Sequence, residues 1–434
     1  MEGKIKFSEF PEAEEIYQDA IIPIVQKNAN KKIYPSAILK MVNIHNGLYY
    51  GINPLNGGLQ NSQNFQMLID RLSIAGGGTI YLPSGQYRFS PNGDQAIGSH
   101  CIKMKSNVNI VGNGSSTVLM PEGTTQQGLD MFYFNDYADT GSPTYLENCT
   151  FADFVIDASG TSTASYTSAG KGFMLNLIKN IHWENVTVKN TDATGFGVDC
   201  TINCSIMNCI AENCGKAAQT TDVGASGFGI GFGFSYDESI LISGCMAKNC
   251  KKFGFFLEHQ RRFSQDKYSA TANKGFIVCN CFAVGNYYNF GGIQSINAMY
   301  RDCVGWNAIQ HGYFFQNSEN SNVMNCVSMT DGDTSFVILA DYTDGGMQEN
   351  KDIAYIECVS KYTPYGAKVV NSGSSASMTR NIIKNCFFNL SQTKSISTSG
   401  TMDSLVLQGN TANGADNSLG AVVSDLINKY NSWN

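Results

Sequence analysis

The chain has 434 residues, of which 42% are hydrophobic and only 15% are Asp, Glu, Lys or Arg. This composition excludes a disordered chain, and the formal net charge of −7 argues against nucleic acid as the main partner, because phosphate binding favours a basic surface. No apolar run of about 18 residues is present to span a membrane, and the N-terminal segment lacks the apolar region of a secretory signal.

Residues 1–45 do not share the pattern that organises the rest of the chain. Segments 7–13, 19–26 and 36–39 resemble the short N-terminal module of many bacteriophage tail proteins, although Phe10 stands where leucine is usual. The resemblance implies that residues 1–45 attach the protein to a phage particle. The alternative is a small amphipathic cap on the fold that follows.

Residues 46–100 are predicted to form the entry into a β-solenoid. Segment 61–72 has the apolar spacing of a helix. The apolar residues on its predicted inner face are Phe65, Leu68, Ile69 and Leu72. Because the exposed end of a sheet has to be covered, we predict that this helix caps the solenoid. The helix, the glycines at 76–78 and the strand at 79–87 together resemble the entry to the pectate-lyase superfamily of β-helices.

A sequence repeat organises residues 101–410. Cysteine recurs directly after asparagine or another turn residue, and successive copies are 22 or 23 residues apart, or further apart where an insertion lengthens the unit. Each unit holds three short strand-like segments without helical spacing. The sequence therefore predicts an all-β right-handed parallel β-helix, in which each coil stacks on the previous one at about 4.8 Å.

The repeat also predicts what its cysteines and asparagines do. The chain has 14 cysteines but no Cys-x2-Cys pair, so we expect reduced thiols stacked in the interior and no disulfides or metal site. A recurring asparagine is expected to form an amide ladder, each side chain bonding its copy one coil away. The members of this ladder would be Asn190, Asn213, Asn249 and Asn307.

Residues 411–434 are predicted to close the far end of the solenoid. Segment 419–430 is interpreted as a C-terminal helix. Its predicted apolar face consists of Val422, Val423, Leu426 and Ile427.

One column of polar residues is predicted to face solvent, because the interior cannot hold unpaired carboxylates cheaply. Four residues after the glycine that opens each aromatic strand stand Asn176, Asp199, Gly231, Glu258, Ser295 and Gln316. Asp199 and Glu258 would lie two coils apart, at about 9 to 10 Å. This is close to the separation of about 6.5–9.5 Å between the two carboxylates of inverting glycosidases. The pair is a candidate acid and base, with Gly231 leaving room for a sugar ring; the alternative is solvated carboxylates without a role.

The longest insertion, 258–268, places His259, Arg261, Arg262 and Tyr268 near the candidate pair. Arginine recognises the carboxylates of uronate sugars, and His259 or Tyr268 could abstract the C5 proton of such a sugar. A polysaccharide lyase that uses this insertion is therefore an alternative to a hydrolase. A solvated loop without function explains the same residues.

Five residues complete the set of candidates for the same site. Asp237 is a third candidate catalytic carboxylate, and Gln316 and His311 are candidate substrate-binding residues. Tyr236 and Tyr268 could stack on sugar rings, or serve only as turn aromatics. His311 has the alternative of being a turn residue.

A weaker resemblance concerns the strand that contains Asp199. Segment 195–199 is loosely similar to the active strand of mannuronan C5-epimerases. Cys200 and Thr201 stand where that family has proline and histidine, which weakens an epimerase interpretation.

Together, the resemblances imply a phage tailspike-like protein that binds a bacterial surface polysaccharide and depolymerises it, by hydrolysis in the leading interpretation. The alternatives are a lyase acting on a uronate-containing glycan and a non-catalytic tail adhesin. The resemblances further imply a homotrimer that joins a phage tail or baseplate through residues 1–45, located in the virion after assembly in the bacterial cytoplasm. No cofactor, metal, nucleic acid or membrane partner is predicted.

Overall fold

The computed structural model describes residues 22–26, 29–33, 43–92, 99–136, 144–222, 224–234, 237–259, 275–341, 349–372, 377–391, 393–414, 422–429 and 431–433. The chain winds into a right-handed parallel β-helix, and most coils add one strand to each of three sheets. This confirms the predicted fold class.

The strands are numbered in chain order and grouped by sheet. Sheet 1 contains β6 (Ser99–Lys103), β9 (Leu129–Phe134), β13 (Phe173–Glu184), β15 (Phe196–Ile202), β18 (Phe228–Phe232), β21 (Phe253–His259), β24 (Tyr288–Ile293), β27 (His311–Gln316), β30 (Thr334–Ala340), β34 (Tyr365–Asn371) and β38 (Lys394–Ser399). Sheet 2 contains β3 (Ile44–Asn46), β4 (Gly78–Tyr81), β7 (Val108–Val111), β10 (Leu146–Ala152), the second half of β13, β16 (Cys204–Met207), β19 (Ser239–Ser243), β22 (Gly275–Cys279), β25 (Ala298–Arg301), β28 (Asn322–Met324), β32 (Ala354–Ile356), β36 (Asn381–Lys384), β39 (Thr401–Gln408) and β41 (Val422–Lys429).

Sheet 3 contains β5 (Gly85–Phe89), β8 (Thr117–Thr125), β11 (Val155–Asp157), β12 (Gly160–Thr163), β14 (Thr187–Lys189), β17 (Ile210–Glu212), β20 (Met246–Lys248), β23 (Phe282–Val284), β26 (Val304–Trp306), β29 (Val327–Met329), β33 (Val359–Lys361), β37 (Phe387–Ser391), β40 (Thr411–Gly414) and β42 (Ser432–Trp433). Two pairs lie outside these sheets: the antiparallel hairpin β1 (Ile22–Gln26) and β2 (Ala29–Ile33), and the parallel pair β31 (Glu349–Lys351) and β35 (Ser377–Thr379).

The predicted capping helix is confirmed as α1 (Gly58–Ile74), which follows a short 3-10 helix (Gly47–Tyr50). Its predicted face is buried. The Phe65 ring lies 5.8 Å from that of Phe89 and 6.4 Å from that of Phe132, so the helix packs on the first coils of the core. No helix in the described part of the chain is long and apolar enough to cross a membrane.

Side chains of the same type stack from coil to coil inside the solenoid. The Phe196, Phe228 and Phe255 rings stack in parallel with 4.7 Å between successive centroids. All fourteen cysteines are free and buried, as predicted, and the backbone N–H of Cys209 donates to Cys245 Sγ at 3.4 Å. The phenylalanine stack keeps the strands of sheet 1 in register, which fixes the positions of the residues on its outer face.

The asparagines recur because the turns need them. Asn190, Asn213, Asn249 and Asn307 adopt the left-handed conformation, with φ between 53° and 60°, which asparagine tolerates better than most residues. Asn213 Nδ2 donates to Asn190 Oδ1 at 3.4 Å, which confirms the amide ladder for that pair.

Two predictions about the fold are wrong. Residues Val422–Lys429 form strand β41, paired with β39, and no helix. The β-branched Val422, Val423 and Ile427 favour a strand, and β39 offers backbone groups to pair with. The second error concerns strand β24, whose register places Ile293, and not Ser295, beside Glu258. The reason is that Phe290 continues the aromatic stack, so this repeat unit begins before Gly291 and not at it.

Most of the module predicted at residues 1–45 lies outside the described residues. Strands β1 and β2 and residues 43–45 are described. Strand β3 (Ile44–Asn46) pairs in parallel with β4, so the first coil begins at this strand.

Candidate functional site

A pocket of about 280 Å³ lies on the outer face of sheet 1. Outward positions of β15 and β18 are occupied by Gly197, Gly229 and Gly231, which line the pocket. Because these residues have no side chains, a depression forms between the coils below and above them. Met174 and Phe256 bound the depression on the neighbouring strands β13 and β21.

Asp199 and Glu258 both line this pocket. Asp199 pairs with Gly231, and Gly231 pairs with Glu258, so the predicted column and its order are correct at these three positions. Two strand spacings separate the backbone positions of Asp199 and Glu258 by about 9 to 10 Å along the solenoid. Asp199 is 8% exposed and Glu258 is half-buried.

Lys171 supplies a positive charge to the same pocket, and sequence analysis missed it. The Asp130 carboxylate accepts hydrogen bonds from the backbone N–H groups of Gly170 (2.9 Å) and Lys171 (2.7 Å), which fixes the turn that carries the lysine. Burial raises the pKa of Asp130. The Lys171 ammonium lies 3.3 Å from Met174 Sδ, at the pocket wall.

Lys252 is a second cation near Glu258 that the sequence analysis did not identify. Its ammonium donates to the backbone oxygen of Asp222 at 3.1 Å, beneath the insertion between β17 and β18. Burial lowers the pKa of Lys252, while the charges of Glu258 and Asp222 act in the opposite direction. Lys171 directly precedes the strand-opening Gly172, whereas Lys252 stands two residues before Gly254, so the two lysines share no position of the repeat and the repeat does not single them out.

The structure places His259 and Asp237 away from the pocket lining. The His259 ring packs edge-on against buried Phe232, with 5.6 Å between centroids. Asp237 is exposed at the turn from sheet 1 to sheet 2. Its neighbour Glu238 is fully buried and accepts hydrogen bonds from the backbone N–H groups of residues 233 and 234, a structural role.

His311 and Gln316 lie on β27, two strands beyond Glu258 on the same sheet. The His311 ring is buried and stacks on the Tyr288 ring at 5.3 Å between centroids. Burial lowers the pKa of His311 to about 4, although nearby Asp333 acts to raise it, so the ring is neutral at pH 7. Gln316 is half-buried and stands in register with Ile293.

The remaining candidates, Tyr236, Arg261, Arg262 and Tyr268, lie outside the described residues. Among the residues that the structure describes, no group of three or more His, Cys, Asp or Glu side chains is arranged to hold a metal ion.

The parallel solenoid and the outward carboxylates define a β-helix of the pectate lyase-like class. Residues 50–275, just over half of the chain, match the family described as rhamnogalacturonase A/epimerase, pectate lyase-like. The chain belongs to this family.

Curated relatives and solved structures agree with this assignment. The chain is 29% identical over 166 residues to mannuronan C5-epimerase AlgE3 of Azotobacter vinelandii, covering 36% of this chain and 8% of the relative. It is 29% identical over 177 residues to alginate lyase 7 of the same organism, covering 38% of this chain and 19% of the relative. The chain therefore spans less than a fifth of the length of either relative.

The A-module of epimerase AlgE6 from A. vinelandii superimposes with a TM-score of 0.59 at 17% identity, covering 90% of this chain and 99% of that one. The tailspike protein of E. coli bacteriophage HK620, solved in complex with a pentasaccharide, superimposes with a TM-score of 0.58 at 15% identity, covering 98% and 72%. At these identities the likeness concerns the fold.

Proposed function

We propose that this protein hydrolyses glycosidic bonds of a bacterial surface polysaccharide in the sheet 1 pocket. Asp199 and Glu258 act as the catalytic acid and base. One carboxyl group gives its proton to the leaving glycosidic oxygen, and the other carboxylate takes a proton from the water that attacks the anomeric carbon. The observation that carries the proposal is the register of Asp199, Gly231 and Glu258 in one pocket.

The spacing supports inversion of configuration. A separation of about 9 to 10 Å along the solenoid leaves room for a water molecule between a carboxylate and the sugar, whereas a nucleophilic carboxylate would sit at about 5 to 5.5 Å. Gly231 keeps the space between the two side chains free for the sugar ring. The tailspike solved with a pentasaccharide supports a glycan as the ligand class of this fold.

A second candidate function is proton abstraction at C5 of a uronate, which leads to elimination or epimerisation. Lys171 and Lys252 favour it, because an ammonium beside the sugar carboxylate stabilises the charge that develops when the proton leaves. The sequence similarity to mannuronan epimerases and an alginate lyase also favours it. Against it, Cys200 and Thr201 are buried where those epimerases have proline and histidine.

Product analysis distinguishes the two functions. Digestion of capsular or cell-wall glycans in heavy-oxygen water should introduce one heavy oxygen per cut if the reaction is hydrolysis. Elimination should instead give an unsaturated uronate that absorbs ultraviolet light, without oxygen from water, and epimerisation should give no new chain ends. Binding without any product would indicate the adhesin alternative.

Substitution of the two carboxylates tests the residue assignment. Asp199→Asn and Glu258→Gln should each lower glycan cleavage by at least about a hundredfold, because each removes a proton-transfer group. Asp237→Asn is the matched control, since Asp237 is exposed and outside the pocket lining. Full activity in both pocket variants, or loss only in the control, would refute the assignment.

We also propose that the protein is a phage tail component that acts as a homotrimer, with residues 1–45 attaching it to the particle. The resemblance of this segment to phage tail modules and the superposition on a phage tailspike support this setting. Mass spectrometry of purified virions tests it, and absence of the chain from the particles would contradict it.

A further inference from the structure

Two long turns of the solenoid border the sheet 1 pocket on one side. The turn 164–172 leads from sheet 3 into β13, and the turn 213–227 leads from sheet 3 into β18. The turn between them, 190–195, is shorter than both. Ser168 of the first long turn and Gly224 of the second line the pocket. Both long turns therefore stand at the edge where the strands of sheet 1 begin.

The two long turns meet over the short one. Residues 191–194 of the short turn are between 0% and 2% exposed, although turns normally lie at the surface. Gly224 approaches Ser168 so closely that a Cβ atom on residue 224 would lie 2.8 Å from Ser168 Cβ. Residue 224 also has a φ of 68°, which favours glycine. The contact joins the long turns into one wall.

Hydrogen bonds anchor both parts of this wall to other coils. Thr167 Oγ1 of the first long turn donates to the backbone oxygen of Gln127 at 2.9 Å. The Lys252 ammonium donates to the backbone oxygen of Asp222 in the second long turn at 3.1 Å. The backbone N–H of Lys252 donates to the backbone oxygen of Ala225 at 3.0 Å. The wall is therefore a fixed part of the solenoid and limits the pocket on this side.

The space between the wall and the two carboxylates is short. Gly229 lies at the foot of the wall, where a Cβ atom on it would be 3.1 Å from Thr194 Cγ2. Gly231, in register with Asp199 and Glu258, stands two residues further along β18, at about 7 Å. Both glycines line the pocket without a side chain to fill it. This length suits one sugar ring.

We infer that the pocket accepts the end of a glycan chain and that the protein releases the terminal sugar unit. A chain held at the two carboxylates has room for one ring before the wall, and the wall blocks a second ring. Cleavage inside a chain would need a groove that is open in both directions. The inference rests on the proposed hydrolysis by Asp199 and Glu258: the glycosidic bond breaks, the anomeric carbon takes the hydroxyl group of water, and the leaving oxygen takes a proton.

The sizes of the first products test the inference. Wild-type protein is incubated with a panel of capsular polysaccharides of defined structure, and early samples are analysed by size-exclusion chromatography and mass spectrometry. A single sugar unit should appear first, while the mass of the polymer falls slowly. Intermediate oligosaccharides among the first products would overturn the inference and leave the proposed hydrolysis standing. Cleavage of none of the polysaccharides would contradict the proposed function and the inference with it.

A shortened wall provides a second test. Replacement of residues 219–222 by two glycines removes the backbone oxygen that Lys252 binds and should let the chain continue past the carboxylates, so that intermediate oligosaccharides appear. Thr220→Gly/Thr221→Gly keeps the length of the turn and is the matched control, which should give the wild-type products. Wild-type products from a shortened variant with an unchanged melting temperature would overturn the inference. If the shortened variant unfolds, the product sizes of the wild type decide.

Discussion

Asp199 and Glu258 occupy equivalent positions on two parallel strands, with Gly231 as the one residue in register between them. The distance between the two backbone positions that carry the carboxylates is therefore set by backbone hydrogen bonding. It also follows that residue 231 controls the space that a sugar ring would occupy.

A size series at Gly231 tests this control. Gly231→Ala, Gly231→Val and Gly231→Leu should lower kcat/KM progressively, with about a hundredfold loss for leucine, because the side chain would displace the substrate from both carboxylates. The melting temperature should change little, since the position faces outward and a strand accepts valine. Undiminished glycan cleavage by the leucine variant would show that the substrate lies elsewhere.

Lys171 should govern the choice between anionic and neutral glycans. Lys171→Met should raise KM for a uronate-containing glycan about tenfold or more, because it removes a charge-assisted contact, and should leave a neutral glycan unaffected. Lys179→Met, on strand β13 directly after the turn that carries Lys171 but paired with Glu147 at 3.7 Å, is the matched control. Equal effects of the two substitutions would indicate only a change in net charge.

Lys216 connects three coils of the solenoid. Its ammonium donates to the backbone oxygens of Ala158 (2.5 Å) and Asn190 (2.8 Å) and lies 3.4 Å from the carboxylate of Asp192, whose side chain is 1% exposed. Lys216→Met should lower the free energy of unfolding by about 3 kcal/mol, because it leaves a buried carboxylate without its cation. Denaturant titration measures the change.

The matched control is Lys248→Met, which breaks the exposed pair with Glu212. The expected loss is at most about 1 kcal/mol, because solvent screens an exposed pair. Similar losses of unfolding free energy in the two variants would mean that the burial of Asp192 does not strengthen its ion pair with Lys216.

Asp331 should make stability decline as pH rises. Its carboxyl group is buried and accepts hydrogen bonds from Ser328 Oγ, Ser335 Oγ and the backbone N–H of Ala308. Burial raises the pKa of Asp331 to about 7, although these hydrogen bonds act in the opposite direction. The folded state therefore holds the proton more tightly than the unfolded state, whose pKa is about 3.9.

The stabilisation from this proton is complete below the unfolded pKa and is lost as pH rises through the folded pKa. Asp331→Asn cannot titrate, so between about pH 5 and pH 8 its free energy of unfolding should improve relative to wild type by on the order of 2 to 3 kcal/mol. Urea titrations at the two pH values provide the measurement. A constant difference between variant and wild type would place the pKa of Asp331 outside this range.

Features that repeat could be predicted from the sequence, because a parallel solenoid places each repeat directly on its predecessor. The cysteines, the aromatic stack and the order Asp199, Gly231, Glu258 follow from the period alone. The prediction failed at two places. Ser295 was assigned to the polar column because Gly291 was taken as the start of the repeat unit, whereas Phe290 sets the register. Residues 422–429 were predicted to be helical because the spacing of their apolar residues fits a helix and a strand equally well.

The amino-acid sequence by itself determined the solenoid, its capping helix and the column that carries the two carboxylates, since local spacing and stacking of like residues specify all three. The tertiary structure alone decided which side chains meet at the pocket. Lys171 lines the pocket from a turn whose geometry depends on the buried Asp130 carboxylate, and the ammonium of Lys252 donates to the backbone of an insertion from a neighbouring coil. Contacts of that kind join residues that share no period, so only the folded chain brings them together.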